Sequence, residues 1–381
     1  MTDQNLSIVV EKEELNRYHW FTARFWDGMR VGTWWRLLAR NRFAFSPSRF
    51  PTASLTFVAN PINSICHRWQ EMRWRRQVEQ VAIDKPPLFI LGHWRSGTTL
   101  LHELLIRDPR FGYPTTYDCF SPSHFLSTRD FMTRWFRFLM PDRRPMDNMA
   151  AGWDRPQEEE FALLNMGVPS IYETVAFPNH GPAGLDSLDF SGFTAQQIEQ
   201  WKKNLHWFLQ RVFFREQRSL VLKSPPHLGR VKVLLEMFPD ARFVHIVRNP
   251  FAVYPSTLRL WKSLIQTQSV QVPRCEWLPD FVLSVFVRLY AAFERTRHLI
   301  PPNRYAEIRY EQLVENPIAT VRSIYRELEL DHFEDVLPRL ESHVADLKDY
   351  RTNRYELDET TQIGIREQWA DFMERYGYPC N

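Results

Sequence analysis

At 381 residues, with 44% hydrophobic and 24% charged side chains, the chain is long enough for one large or two ordinary globular domains and is not of disordered composition. Its net charge of +3 gives no case for nucleic acid, so any anion site has to come from local clusters. Cys66, Cys119, Cys275 and Cys380 form no C-x-x-C pair, which speaks against a zinc site or a disulfide framework and fits a reducing compartment. Met1 to Leu15 is polar and acidic, unlike a secretory signal, and no run approaches the ~18 apolar residues of a membrane span. The expectation is a cytoplasmic protein.

Residues 1–85 read as a helical extension set apart from the rest. Trp20 to Phe50 is crowded with aromatics and with Arg24, Arg30, Arg36, Arg40, Arg42 and Arg49, against a lone Asp27. Such a segment either packs its rings on the main domain with its arginines solvated, or makes peripheral membrane contact through residues 17–50. Gly28 and Gly32 interrupt a clean amphipathic face and favour packing. A second helical piece, Ile62 to Val81, ends before Pro86-Pro87, a plausible boundary that leaves 86–381 as the principal domain.

Leu88 to Leu91 is a short apolar run, as in a parallel strand covered on both faces. Gly92-His93-Trp94-Arg95-Ser96-Gly97 is a loop, and helix character begins at Thr98. A helix N-terminus after such a loop presents free N–H groups to an anion. The pattern is close to the phosphate loop G-x-x-x-x-G-K-[ST], but Thr98 stands where the lysine belongs. Asp108 to Pro114 is a turn into a short extended segment, Ser127 to Leu139 is helical, and Gln157 to Asn165 starts a helix behind Pro156. Thr194 is the expected N-cap of a long helix to Phe214. Strand signals follow at Leu220–Leu222, Arg242–Val247 and Tyr305–Arg309, separated by helical segments at His227–Phe238, Phe251–Ile265 and Phe281–Leu299. Helices near Ile318–Leu328 and Thr360–Arg375 flank a basic loop, Tyr350 to Tyr355. Alternating strands and helices predict an α/β fold: a P-loop-like central parallel sheet flanked by helices, with the N-terminal helical extension.

Ligands of open parallel sheets sit at the carboxyl ends of the strands. Three of the predicted strands end at Arg95-Ser96, Lys223-Ser224 and Arg248-Asn249, so three cations converge on one crevice. A kinase or ATPase needs the phosphate-loop lysine and a magnesium-holding aspartate at a strand end. Neither is present, which predicts a ligand without a triphosphate and a reaction without a metal. A sulfuryl group carries less charge than a phosphoryl group and can be moved with side-chain cations and backbone N–H donors alone.

From about Pro86 to Tyr378 the sequence resembles the sulfotransferase family that uses 3′-phosphoadenosine 5′-phosphosulfate (PAPS). The resemblance implies that Arg95, Ser96, Gly97, Thr98 and Thr99 grip the 5′-phosphate and sulfate of the donor. It implies that Arg248 and Ser256 hold the 3′-phosphate, that Arg351 and Arg354 reach it from a C-terminal loop, and that Lys223 stabilises the bridging oxygen as its bond breaks. The acceptor also needs a general base. Asp154-Arg155-Pro156-Gln157-Glu158-Glu159 resembles an acidic motif of bacterial members, which makes Glu158 the first candidate, against a plain helix-capping role for Glu158 to Glu160. His124 is the second candidate and Asp118 a weaker third; His93 and His102 are expected to pack beside the loop. The acceptor reads only as a small molecule, a carbohydrate or a lipid, with the aromatic, basic extension favouring a lipid. A phosphoryl-transfer enzyme on the same loop, or a non-catalytic nucleotide-binding protein at the membrane periphery, are the alternatives.

Overall fold

The computed structural model describes residues 22–140, 151–346 and 357–379. Its strands are β1 (Leu88–Leu91), β2 (Phe111–Gly112), β3 (Ser219–Lys223), β4 (Arg242–Val247) and β5 (Tyr305–Arg309). They pair in parallel in the order β2-β3-β1-β4-β5. The central strand is apolar along its whole length because both faces are covered. Phe89 and Leu91 enter one core with Leu222 and Phe243, while Leu88 and Ile90 enter the other with Val221, Val244 and Ile308. This is the α/β architecture of a P-loop-like sheet between helical layers. Register places Ile90 beside Lys223 and Leu91 beside His245, so the loops that leave β1, β3 and β4 emerge on one edge.

The expected capping of the long helix is observed: the Thr194 hydroxyl accepts from the Gln197 N–H, and the Gln197 side chain returns to the Thr194 N–H. Two stretches depart from expectation. The helix Phe50–Glu79 continues through Pro61, which is exposed, so its ring projects toward solvent although the bond an N–H there would make to the Phe57 carbonyl is lost. A helix Phe333–Asp346 occupies a stretch with no helix expected, and it buries Phe333, Val336 and Leu340 despite an internal Pro338.

Before the sheet lie α1 (Val31–Arg40) and α2 (Phe50–Glu79). Phe25, Trp26, Met29, Trp34, Leu37 and Leu38 are buried and continuous with the core behind Phe89 and Leu91. Gly28 is where that packing is tightest: a Cβ there would lie 1.5 Å from the Phe120 carbonyl oxygen. The arginines do not all reach water, since Arg24 is 5% exposed and its guanidinium is made less basic by burial.

Candidate active site

The loop after β1 turns through two left-handed residues, Arg95 (φ 67°) and Gly97 (φ 101°), and delivers the chain into α3 (Thr98–Leu105). Gly97 is dictated twice, by that φ and by the Tyr310 ring, whose Cδ2 would sit 2.3 Å from an added Cβ. The Ser96 hydroxyl donates to the His93 carbonyl at 2.7 Å and closes the turn. Thr98 and Thr99 then begin the helix, where the first N–H groups have no partner within the helix.

The β4 side supplies the next groups. Arg248 lies over the Tyr310 ring, 4.0 Å from its centroid, and donates to the Arg95 carbonyl at 2.8 Å. Arg95 Nε donates to Ser256 Oγ at 2.8 Å, so Arg95, Arg248 and Ser256 form one connected group. Arg351 and Arg354 lie outside the described residues.

On the β3 side, antiparallel pairing of Thr115 with Pro156 docks the 153–157 segment beside α4 (Thr116–Phe120). That segment delivers Glu158, Glu159 and Glu160 to the start of α6 (Glu159–Met166), which follows α5 (Phe125–Trp135) in the chain. Glu158 occupies the N-cap position, yet its side chain makes no capping bond. All three carboxylates turn toward β3 and its following turn instead. Lys223 Nζ donates to Glu158 Oε1 at 2.8 Å, His227 Nε2 lies 2.6 Å from Glu159 Oε1, and Arg230 holds Glu160 through two bonds of 2.6 and 3.2 Å. These six side chains are nearly or fully buried, which is where ionisable groups need partners most. Sequence reading missed His227 and Arg230. Their signal was the spacing Lys223, His227, Arg230 against three consecutive glutamates.

A second chain of bonds joins Glu158 to the β1 loop. Tyr172 donates to Glu158 Oε2 at 2.6 Å and accepts from Trp94 Nε1 at 2.8 Å. Burial, reinforced by the Glu158 charge, pushes the Tyr172 phenol well above its ordinary pKa, so it remains a donor. Around it stand Phe25, Phe161 and Trp261, with the Phe161 and Trp261 rings stacked on Tyr172 at 4.5 and 5.6 Å. One wall of this aromatic surround therefore comes from the N-terminal extension.

The other candidates sit elsewhere. His124 Nε2 lies 3.0 Å from Asn63 Oδ1 and ties the start of α5 to α2, while its Nδ1 lies 2.8 Å from Thr128 Oγ1 within α5. Burial lowers its pKa to about 4. Asp118 completes the capping box of α4 and pairs with Arg215 and Arg129. His93 and His102 are buried beside the loop, and burial lowers each pKa to about 3.

A model of the sulfotransferase family matches residues 86–335. The chain belongs to the sulfotransferase family. Along almost its whole length this sulfotransferase is similar to omega-hydroxy-beta-dihydromenaquinone-9 sulfotransferase Stf3 of Mycobacterium bovis, with 43% identity over 98% of this chain and 96% of that protein. Its fold is similar to the crystal structures of sulfotransferase STF9 from Mycobacterium avium (TM-score 0.66, 20% identity, 87% of this chain and 86% of that one) and STF1 from Mycobacterium tuberculosis H37Rv (TM-score 0.64, 18% identity, 90% and 91%).

Proposed function

We propose that the enzyme takes its sulfuryl group from PAPS and delivers it to a hydroxyl of a hydrophobic, isoprenoid-quinol-like lipid. The contact between Lys223 and Glu158, from segments 65 residues apart and beside the β1 loop, carries this reading. The acceptor class is supported by the name of the relative, Stf3, and by the Phe25, Phe161 and Trp261 rings around Tyr172. Residues 86–381 form the transferase unit in this account, and 1–85 an extension on the acceptor side.

Arg95 to Thr99 hold the 5′-phosphate and sulfate, and Arg248 and Ser256 hold the 3′-phosphate, joined by Arg351 and Arg354. As the donor seats, Lys223 exchanges Glu158 for the bridging oxygen. Glu158, still held by Tyr172, takes the acceptor hydroxyl proton. The acceptor oxygen bonds to sulfur while the bond from sulfur to the phosphate oxygen breaks. The electron pair stays on that oxygen, where Lys223 and the α3 N–H groups neutralise it. The product nucleotide is 3′,5′-bisphosphoadenosine.

A thermal-shift comparison of 3′,5′-bisphosphoadenosine with ATP plus magnesium tests the donor assignment. At ~100 times its dissociation constant a ligand adds about 2.7 kcal/mol of stability. A rise in Tm with the bisphosphate alone is expected. No shift with it, or a larger one with ATP and magnesium, overturns the assignment.

A further inference from the structure

Helix α2 buries polar side chains while leaving a run of large apolar ones exposed. Its inward side buries Thr56, Asn60, Asn63 and Gln70 alongside Ala53 and Val78. Thr56 donates to Asp27, Asn63 donates to the Asp27 and Met29 carbonyls, and Gln70 donates to the Ser123 carbonyl. Its outward side is apolar: Val58, Ile62, Ile65, Trp69 and Met72 are all exposed, Met72 by 80%. Steps of four, three, four and three residues place these five on a single stripe at about 100° per residue. Hydrogen bonding fixes the orientation of the helix, so the stripe is not a register error that a rotation would bury.

Neighbouring elements expose apolar side chains as well. Trp35 of α1 is half exposed and contacts Phe57 of α2 and Phe43, with centroids 6.1 and 5.8 Å away. Helix α5, packed along α2, and the turn after it expose Phe131, Trp135 and Phe138. Arginines border this surface: Arg68 and Arg73 lie on either side of the α2 stripe, Arg76 extends it, and Arg134 and Arg137 are exposed beside Trp135 and Phe138. Exposed acids on the same helices are few, Glu79 at the end of α2 and Asp130 on α5. Two copies joined through this face would bring arginine against arginine. A plane of anionic headgroups would instead meet the arginines while the rings and aliphatic groups enter the acyl boundary. Among the described residues no helix is long and apolar enough to cross a membrane, so the helix would lie in the interface rather than span it.

We propose that the outward face of α2, with Trp35, Phe131, Trp135 and Phe138 beside it, docks the enzyme on an anionic lipid surface. Packing is the favoured expectation for residues 17–50, and Phe25, Trp26 and Trp34 are indeed consumed by the core, so the alternative of membrane contact moves onto α2 and α5. The proposal concerns the surface and not the catalytic centre, so its test needs neither donor nor acceptor, and its failure leaves the donor and acceptor assignments standing.

The test is co-sedimentation of the full chain with vesicles of phosphatidylcholine alone and of phosphatidylcholine mixed with phosphatidylglycerol. Wild-type protein is expected to pellet with the anionic vesicles and to be released by salt. The triple variant Ile65→Ser, Trp69→Ser, Met72→Ser is expected to lose binding by about tenfold or more. Arg68→Ser with Arg73→Ser is expected to weaken it by about fivefold per arginine. All altered side chains are exposed, so an unchanged Tm serves as the check of folding in each variant. Failure of the wild type to pellet with anionic vesicles overturns the proposal, as does equal pelleting of the triple variant. A wild-type dimer by light scattering that the triple variant converts to monomer assigns the face to a second copy and also overturns it.

Discussion

Tyr172→Phe removes one oxygen from the centre of the site and leaves the aromatic packing intact. Two bonds go with it: the 2.6 Å donation to Glu158 and the 2.8 Å bond accepted from Trp94. A hydrogen bond to a charged group is worth about 1.5–3 kcal/mol, and a buried N–H left without a partner costs about 1–3 kcal/mol. Glu158 retains slight exposure, so water recovers part of the first term, and a loss of roughly 3 kcal/mol is the expected sum. For a chain of 381 residues the unfolding entropy is about 0.8 kcal/mol per degree, so Tm should fall by roughly 4 °C. In the proposed mechanism Tyr172 positions Glu158 and not the donor, so kcat should fall while the affinity for 3′,5′-bisphosphoadenosine stays within about twofold. The assays are differential scanning fluorimetry, steady-state sulfate transfer and bisphosphate titration. An unchanged Tm together with an unchanged kcat would refute the idea that Tyr172 supports Glu158. A loss confined to bisphosphate affinity would place Tyr172 on the donor instead.

Arg248→Ala should weaken bisphosphoadenosine binding, whereas Lys223→Ala should chiefly lower turnover, because the oxygen it is proposed to meet becomes charged in the transition state; equal loss of affinity in both variants contradicts these roles. Gly97→Ala puts a methyl group into the Tyr310 ring at a φ of 101° and should cost at least ~1–2 kcal/mol, with loss of donor binding, read by Tm and bisphosphate titration. Acid should destabilise the fold through His93, His102 and His124, whose pKa values burial lowers to about 3, 3 and 4. The unfolded chain takes up these protons near pH 6.5 and the folded chain does not. The stability they contribute is therefore complete above pH 6.5 and is lost as pH falls toward 4, by up to about 1.4 kcal/mol per pH unit for each. A Tm that is flat or rising from pH 7 to 5 would contradict this.

Leu88–Leu91 was legible because a doubly covered parallel strand is apolar throughout, and the edge strand Tyr305–Arg309 because buried Ala306 and Ile308 alternate with less buried residues; these two and Arg242–Val247 are the observed strands to the residue. The β1 loop was legible because Gly97 is demanded by backbone geometry and the cations by position at strand ends. The glutamates were harder. Three acids at a helix start have a sufficient local reason to be there, in the helix dipole, and only the long-range partners Lys223, His227 and Arg230 reveal where they turn. Tyr172 left no mark, since an isolated tyrosine acquires its meaning only when folding sets Trp94 and Glu158 on either side of it. The orientation of α2 was hidden for the opposite reason. Its apolar stripe reads as an ordinary buried face, and only bonds such as Asn63 to the Asp27 carbonyl turn that stripe outward.

Transfer of labelled sulfate to a lipid hydroxyl is the decisive measurement. Purified enzyme is incubated with PAPS carrying a labelled sulfuryl group and an ω-hydroxylated isoprenoid quinol, and the lipid phase is extracted and identified by mass. One labelled sulfate per acceptor hydroxyl is expected, with bisphosphoadenosine released in equal amount and a rate lowered about 100-fold or more in Glu158→Gln. Folded wild-type enzyme that binds the bisphosphate yet leaves the lipid unlabelled would contradict the acceptor, and Glu158→Gln transferring at the wild-type rate would contradict the base.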